Sequence, residues 1–405
     1  ELYLELCPVV RRDGRARMGG TGEVIEHAVR MRQFAREEEL DRLLADGKIH
    51  PSQLRAFGAQ LAAVHASLAC ADPGSPWVDP ARTRAAILGN FEQSIVVEAR
   101  RFGTHRIEGL RSQLEARLAA LEPWMSERSC SGHVRECHGD LHCGNVVRWD
   151  GALRAFDCLE FDPGLRWMDV AEDISFLLAD LQARNAAAHA HAFLGGYLAR
   201  SGDFAACRGL RLYQAHCALI RAKVMGLSAH EDAAGPGFAK FAETAAALLE
   251  PPRPALVVVM GLSGSGKTHL ASRLAPLLGA IHLQSDVERR RLSGMDSVGR
   301  SNSGLAAGIY TPAFTDRVYA HLAALASLVL TSGLSVIVDA TFAKRAHRAQ
   351  LQALGRRLGV PLSFLVCHAP PQILHDRVQQ RATWARTHQK PIRRCWPGSC
   401  GMPSR

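Results

Sequence analysis

The sequence predicts an α/β chain in two unlike parts: a mostly helical region, then a region built on buried parallel strands. Three observations predict this. Over the first 250 positions apolar residues recur at spacings of three and four, which marks one buried face of a helix. Glu250-Pro-Pro-Arg-Pro254 then interrupts the chain, because three closely spaced prolines cannot continue a helix and favour an extended spacer. Directly after it, Ala255-Leu-Val-Val-Val-Met260 is a compact, β-branched run of the kind a parallel sheet buries on both faces. At 405 residues, two domains are also the natural expectation from length. The division read from the sequence is 1–250, 251–380, and a basic tail over 381–405.

Each element has its own signal. Glu26–Met31 reads as a short strand. Leu54, Phe57, Leu61, Val64 and Leu68 mark one helix face, and Leu110, Leu114, Leu118 and Leu121 mark another. Asn145–Trp149 and Leu153–Phe156 read as two short strands. Gly237–Leu249 is an Ala-rich helical stretch that leads into the prolines. After the strand 255–260 comes an amphipathic helix, Lys267–Leu278. Ile281–Asp286 and Val336–Thr341 are two further strands, each closing on or near an Asp.

Composition excludes several classes. Hydrophobic residues make up 47% and charged residues 22%, ordinary for a globular protein. No window approaches the roughly 18 uninterrupted apolar residues of a membrane span, so no membrane partner is expected. The start, Glu1-Leu-Tyr-Leu-Glu-Leu6, lacks the basic region of a signal peptide and has no Met, so the chain is expected to begin inside a longer protein. Eleven Cys without a CxxC pair read as reduced thiols of a cytoplasmic protein. Cys137, His138, His142 and Cys143 crowd together as zinc ligands would, but that stretch has a better explanation below. Of the +10 net charge, six come from the acid-free tail: Arg381, Arg386, Lys390, Arg393, Arg394 and Arg405. A solvated tail is expected there rather than a nucleic-acid surface.

Gly261-Leu-Ser-Gly-Ser-Gly-Lys-Thr268 fits GxxxxGK[ST], the Walker A pattern, at every fixed position. Gly261, Gly264 and Gly266 let the backbone curl so that N–H groups, with those of Ser263 and Ser265, hold phosphate oxygens. Lys267 would neutralise the β- and γ-phosphates of ATP, and Thr268 would offer its hydroxyl to Mg²⁺. The following helix points its positive end at the anion. Asp339, at the end of an apolar strand, stands where a Mg²⁺ ligand or a base would. Asp286 ends a second strand and suits an acceptor base. Either Asp alone could instead cap a helix. Arg289, Arg290 and Arg291 are expected to face solvent for the most part.

Four blocks in order carry a resemblance: Gly261–Thr268, Gln284–Val287, Gly308–Tyr310 and Val338–Phe342. Over residues 255 to about 380 the chain resembles the P-loop half of bifunctional aminoglycoside phosphotransferase/ATP-binding proteins of bacteria, and more distantly zeta-toxin-like kinases. The resemblance implies a parallel sheet with helices on both faces and a lid bearing arginines, which would begin at Arg377 and Arg381. It also implies an acidic stretch, a strand and a helix after the lid. Trp384–Arg405 has none of these, so a replaced tail and a sheet short of one edge strand are expected.

His138-Gly-Asp-Leu-His-Cys-Gly-Asn145 has the spacing of a kinase catalytic loop, His-x-Asp followed by four residues and Asn, which places Asp140 and Asn145 as that loop does. Asp140 could accept a hydroxyl proton, Asn145 could bind Mg²⁺, and Asp157, beyond the next hairpin, could supply the second metal ligand. With Gly139, Leu141, His142 and Gly144 the stretch resembles the HGDLHxGN of aminoglycoside phosphotransferase-like kinases. That resemblance implies a protein-kinase-like C-lobe with its N-lobe largely missing, a hinge strand at Glu26–Met31, and acids at Asp169 and Asp173 bracing the loop. A kinase N-lobe needs a small sheet, a phosphate-gripping Lys and a partner Glu. None is expected upstream, where Lys48 is the only Lys before residue 223.

The leading expectation is therefore an ATP-dependent phosphotransferase that moves the γ-phosphoryl to an unidentified small-molecule hydroxyl. The alternatives are a nucleotide-binding regulator without turnover and a zeta-toxin-like nucleotide-sugar kinase.

Overall fold

The computed structural model describes residues 2–96, 102–228, 236–294 and 310–387. The chain opens with an antiparallel sheet of β1 (Tyr3–Arg12), β2 (Arg15–Met18) and β3 (Glu23–Met31), in the order β2-β1-β3. The sequence reading expected no such sheet ahead of the hinge strand. The signal it passed over is Asp13-Gly14, both at positive φ (53° and 72°), a two-residue turn whose twist suits an antiparallel hairpin. The three strands carry no lysine.

Helices then dominate: α1 (Leu40–Ala45), α2 (Pro51–Ser67), α3 (Pro80–Phe91) and α4 (Thr104–Cys130). Short β4 (Val134–Glu136), β5 (Val146–Trp149), β6 (Ala152–Ala155) and β7 (Trp167–Asp169) follow, paired β4 with β7 and β5 with β6. Next come α5 (Val170–Ala183), α6 (Ala187–Ser201), α7 (Cys207–Ser228) and α8 (Pro236–Leu249). The periodic leucines behave as read: Leu54, Leu110, Leu114 and Leu118 are all buried in one core.

After the prolines come β8 (Leu256–Met260), α9 (Lys267–Leu277), β9 (Ala280–Gln284), α10 (Ser285–Leu292), α11 (Pro312–Thr331), β10 (Ser335–Ala340), α12 (Arg345–Leu358), β11 (Leu362–Val366) and α13 (Pro371–Thr387). The four strands are parallel, in the order β11-β8-β10-β9. Strand alternation gives the sheet two faces. Val257, Val259 and Ile337 pack with Ala271 and Ala275 of α9. Leu256, Val258, Val336, Val338 and Ala340 join the core that continues into the helices of the first half. Asp339 alternates with Val338, so it lies on the α9 side, beneath the helix that begins at Lys267.

Candidate functional site

The glycine loop joins β8 to α9. Gly264 (φ 87°) and Gly266 (φ 90°) occupy the left-handed region, which favours glycine, and Gly266 caps α9. A Cβ on Gly261 would come within 2.5 Å of the Cys367 carbonyl oxygen and 2.6 Å of Ser265 Oγ, so no larger residue fits. Arg377 on α13 donates from Nη1 to the Gly264 carbonyl oxygen at 3.2 Å, which ties the start of the expected lid to the loop. The backbone of Arg381 lies on the same helix, and its side chain is outside the described part. Ser263 and Thr268 are exposed and Lys267 is half-buried.

Asp339 is 2% exposed. Its Oδ2 accepts from His282 Nε2 at 3.3 Å, while its Oδ1 is buried without a partner. Ser265 Oγ is buried and unpartnered as well. Two polar atoms left bare beside a phosphate-type loop are a fit for a bound cation and phosphate, since buried polar atoms otherwise find partners. The segment after Asp339 is held from above. Tyr319 of α11 hydrogen-bonds the Thr341 hydroxyl at 2.8 Å and accepts from the Phe342 N–H at 3.0 Å. Phe342 sits at φ 48°, a conformation that non-glycine residues rarely adopt.

Two sequence readings are corrected here. Asp286 does not end a strand: β9 stops at Gln284, and Asp286 is an exposed residue in the first turn of α10. Nor do the three arginines mainly face solvent. Arg289 is buried and donates to Thr315 Oγ1 at 3.2 Å, and its guanidinium lies 4.9 Å from the Tyr310 ring. Arg291 pairs with buried Glu288 at 3.0 Å. Both arginines lie on the packed side of a helix wedged against α11, a placement that charge alone does not reveal. Residues 308–309 of the third resemblance block lie outside the described residues.

In the first half, the loop His138–Asn145 hangs from buried groups. Gly139, at φ 82°, donates its N–H to Asp173 Oδ1 at 2.9 Å, and a Cβ there would come within 2.5 Å of the Leu165 carbonyl oxygen. Asp173 Oδ2 accepts from His65 Nε2 at 3.1 Å, and His65 Nδ1 meets the Tyr197 hydroxyl at 2.9 Å. Burial opposes ionisation of Asp173, but His65, His138 and the Gly139 amide outweigh it and hold the carboxyl below its usual range. The Cys143 N–H donates to Asp180 Oδ2 at 2.8 Å. Asp173 and Asp180 are seven residues apart, two turns on one face of α5, so one helix anchors both ends of the loop. Asp169 instead caps α5 and takes both Arg128 Nε (2.5 Å) and Nη2 (2.7 Å). Asp180 and His65 were missed from sequence.

Asn145 Nδ2 donates to the Asp140 carbonyl oxygen at 3.0 Å and lies 3.5 Å from Asp140 Oδ2. Burial raises the Asp140 carboxyl, and His142, with Arg221 and His138, more than reverses this, so it sits below its ordinary value. The hairpin β5–β6 brings the next acid to the same place, because the Phe156 N–H donates to the Asn145 carbonyl oxygen at 3.0 Å. Asp157 follows at φ 61°, with its N–H given to the Tyr3 hydroxyl at 2.8 Å. The structure thus puts Asp140 and Asn145 in contact, and ties the residue before Asp157 to Asn145. Cys137, His138, His142 and Cys143 do not form a metal cluster. Among the described residues the one such group is His65, Cys137 and Asp173, and the His65 and Asp173 atoms in it are occupied by hydrogen bonds.

A helical half whose His-Gly-Asp loop hangs from buried carboxylates, followed by a parallel-sheet half with a glycine loop, is the architecture of two kinase-type domains in tandem. Comparison with known families agrees. The model described as "Phosphotransferase enzyme family" matches residues 8–210, and the one described as "AAA domain" matches residues 256–394. The first match covers half of the chain, and the chain belongs to that phosphotransferase family, in the bifunctional form that carries a P-loop kinase-like domain. Over 257 residues, 62% of this chain, it is 32% identical to the uncharacterized protein Rv2004c of Mycobacterium tuberculosis and to the uncharacterized protein Mb2027c of Mycobacterium bovis. The chain spans about half the length (51%) of these curated relatives. Among solved structures, the APS kinase CysC of Mycobacterium tuberculosis in complex with AMPPNP and APS is 26% identical, with a TM-score of 0.27, over 35% of this chain and 78% of that one. An ethanolamine kinase of Plasmodium vivax is 12% identical, with a TM-score of 0.35, over 57% of this chain and 66% of that one. No described helix is long and apolar enough to cross a membrane.

Proposed function

We propose that residues 251–380 are an ATP-dependent kinase module that phosphorylates a small-molecule hydroxyl, joined to a phosphotransferase-like module over residues 1–250. One observation carries the reading: Asp339 is buried on the α9 face of the sheet with one carboxylate oxygen unpartnered. Thr268 and Asp339 would hold Mg²⁺, and that ion would neutralise charge on the β- and γ-phosphates. Backbone N–H groups of Gly261–Thr268 bind the phosphates, and Lys267 orients the γ-phosphoryl. Arg377 and Arg381 close over it from the lid. Asp286, exposed at the start of α10, takes the proton of the acceptor hydroxyl as its oxygen bonds to phosphorus and the bond to the ADP leaving oxygen breaks. In the first module, Asp140 is the corresponding base, and Asn145 and Asp157 would hold Mg²⁺.

Lys267→Ala tests this reading by calorimetric ATP binding and by ADP release. ADP release should fall at least about a hundredfold, by analogy with removing a single charge-stabilising group, and ATP binding should weaken. A variant that turns ATP over at the wild-type rate would place catalysis elsewhere in the chain.

A further inference from the structure

Asp339 is held by a chain of two further side chains. His282 and Gln284 lie on β9, beside β10, with Ile337 opposite His282 and Asp339 opposite Gln284. Residues two apart on neighbouring parallel strands share one face, here the α9 face. His282 Nε2 lies 3.3 Å from Asp339 Oδ2, and the Gln284 amide nitrogen lies 3.3 Å from His282 Nδ1. An amide N–H directed at Nδ1 makes that nitrogen the acceptor, so the ring proton resides on Nε2 and is donated to the carboxylate. The His282 side chain is 5% exposed and that of Asp339 2%. Helix α6 of the first module closes the outer side, where His191 and Gly195 line a cavity together with Ile281, His282 and Gln284.

We propose that His282 is a positioning residue for the P-loop site. Gln284 fixes its ring, the ring holds Oδ2 of Asp339, and Oδ1 is thereby presented as the one oxygen open to a cation shared with Thr268. The inference rests on the P-loop reading above. It adds a specific device: the orientation of the metal-binding carboxylate is set on the neighbouring strand, under cover of a helix from the other module. A carboxylate free to rotate about its terminal torsion would offer either oxygen or neither, and partners that orient a ligand raise metal affinity about 10–100-fold.

The test is nucleotide binding by calorimetry on the full chain, with Mg²⁺ and with chelator, for wild type, His282→Leu, His282→Gln and Gln284→Leu. The Mg²⁺-dependent gain in ATP affinity should fall about tenfold or more in His282→Leu, as for other partners that orient a metal ligand. Affinity in chelator should stay unchanged. His282→Gln keeps an N–H donor at the position of Nε2 and should recover most of the gain. Gln284→Leu should lose part of it, and carries the test if His282→Leu does not fold. A wild-type Mg²⁺ gain that both His282→Leu and Gln284→Leu retain overturns this inference and leaves the P-loop reading standing. A wild type that binds no nucleotide overturns both.

Discussion

Glu172 shows how one buried side chain sets a property of the whole protein. Desolvation, with Asp169 and Asp173 close by, pushes its carboxyl up to about 8. His216 Nε2 lies 3.5 Å from it, and burial with the nearby Lys223 lowers that ring to about 4. His191 is lowered to about 4 as well, by burial and then by His282 and Arg55. The pair Glu172–His216 is therefore neutral near pH 7. The signs follow from linkage. A raised carboxyl is protonated when folded and ionised when unfolded, so its contribution falls as pH rises from about 4.5 to about 8. A lowered imidazole favours the folded state above about 6.5, and that contribution is lost as pH falls toward about 4. Two histidines outweigh one acid below about 6.5, and the acid acts alone above it, so these three groups together place maximal stability near pH 6.5. Urea melts across pH should show that maximum, and Glu172→Gln should flatten the alkaline side. A Glu172→Gln chain with an unchanged alkaline slope would contradict the neutral-acid assignment. Other residue-scale features, such as Gly264 and Gly266, were legible from sequence because a phosphate loop needs left-handed backbone at fixed spacing. His282 was not, because its partner Asp339 is 57 positions away.

At the scale of elements, α2 and α6 pack backbone to backbone. Two glycines permit it: a Cβ on Gly58 would overlap the Phe193 carbonyl, and one on Gly196 would overlap the Arg55 carbonyl. This crossing also sets the site, because α2 carries His65 and α6 carries Tyr197, the two residues behind Asp173. Gly196→Ala should therefore cost about 1–3 kcal/mol, the usual penalty for overpacking, although alanine is the better helix former. Thermal melts would check this, and an Ala variant at least as stable as wild type would show that the helices can separate freely. The helices themselves were legible from their three-and-four spacing, since burial of one face is a local pattern. The hairpin β1–β2 was passed over although Asp13-Gly14 marks it, because its strands are largely exposed and lack a clean apolar alternation.

For the whole molecule, the two halves share a core and are fastened at α10. Arg291 donates from Nη2 to the Ala199 carbonyl oxygen at 2.9 Å and the Leu198 carbonyl oxygen at 3.3 Å, at the C-terminal end of α6. Glu288, 2% exposed at its side chain, takes Arg291 at 3.0 Å and His321 at 3.2 Å. A cation on the last carbonyls of a helix is favoured by the helix dipole, and here it comes from the other half of the chain. Arg291→Ala should lower stability by about 1.5–3 kcal/mol, the range for hydrogen bonds to charged groups. It should also split a single melting transition into two. One undivided transition in the variant would mean that the shared apolar core alone couples the halves. By itself, the sequence determined the two catalytic-type loops, the proline break and the helix faces, because each is written in spacing over a few residues and acts through the local backbone. Tertiary structure alone decided which acids hang the first loop, which histidine fixes Asp339, and that Arg291 clamps the halves together. Those contacts join residues dozens of positions apart, and only packing of the folded chain brings their charges within reach.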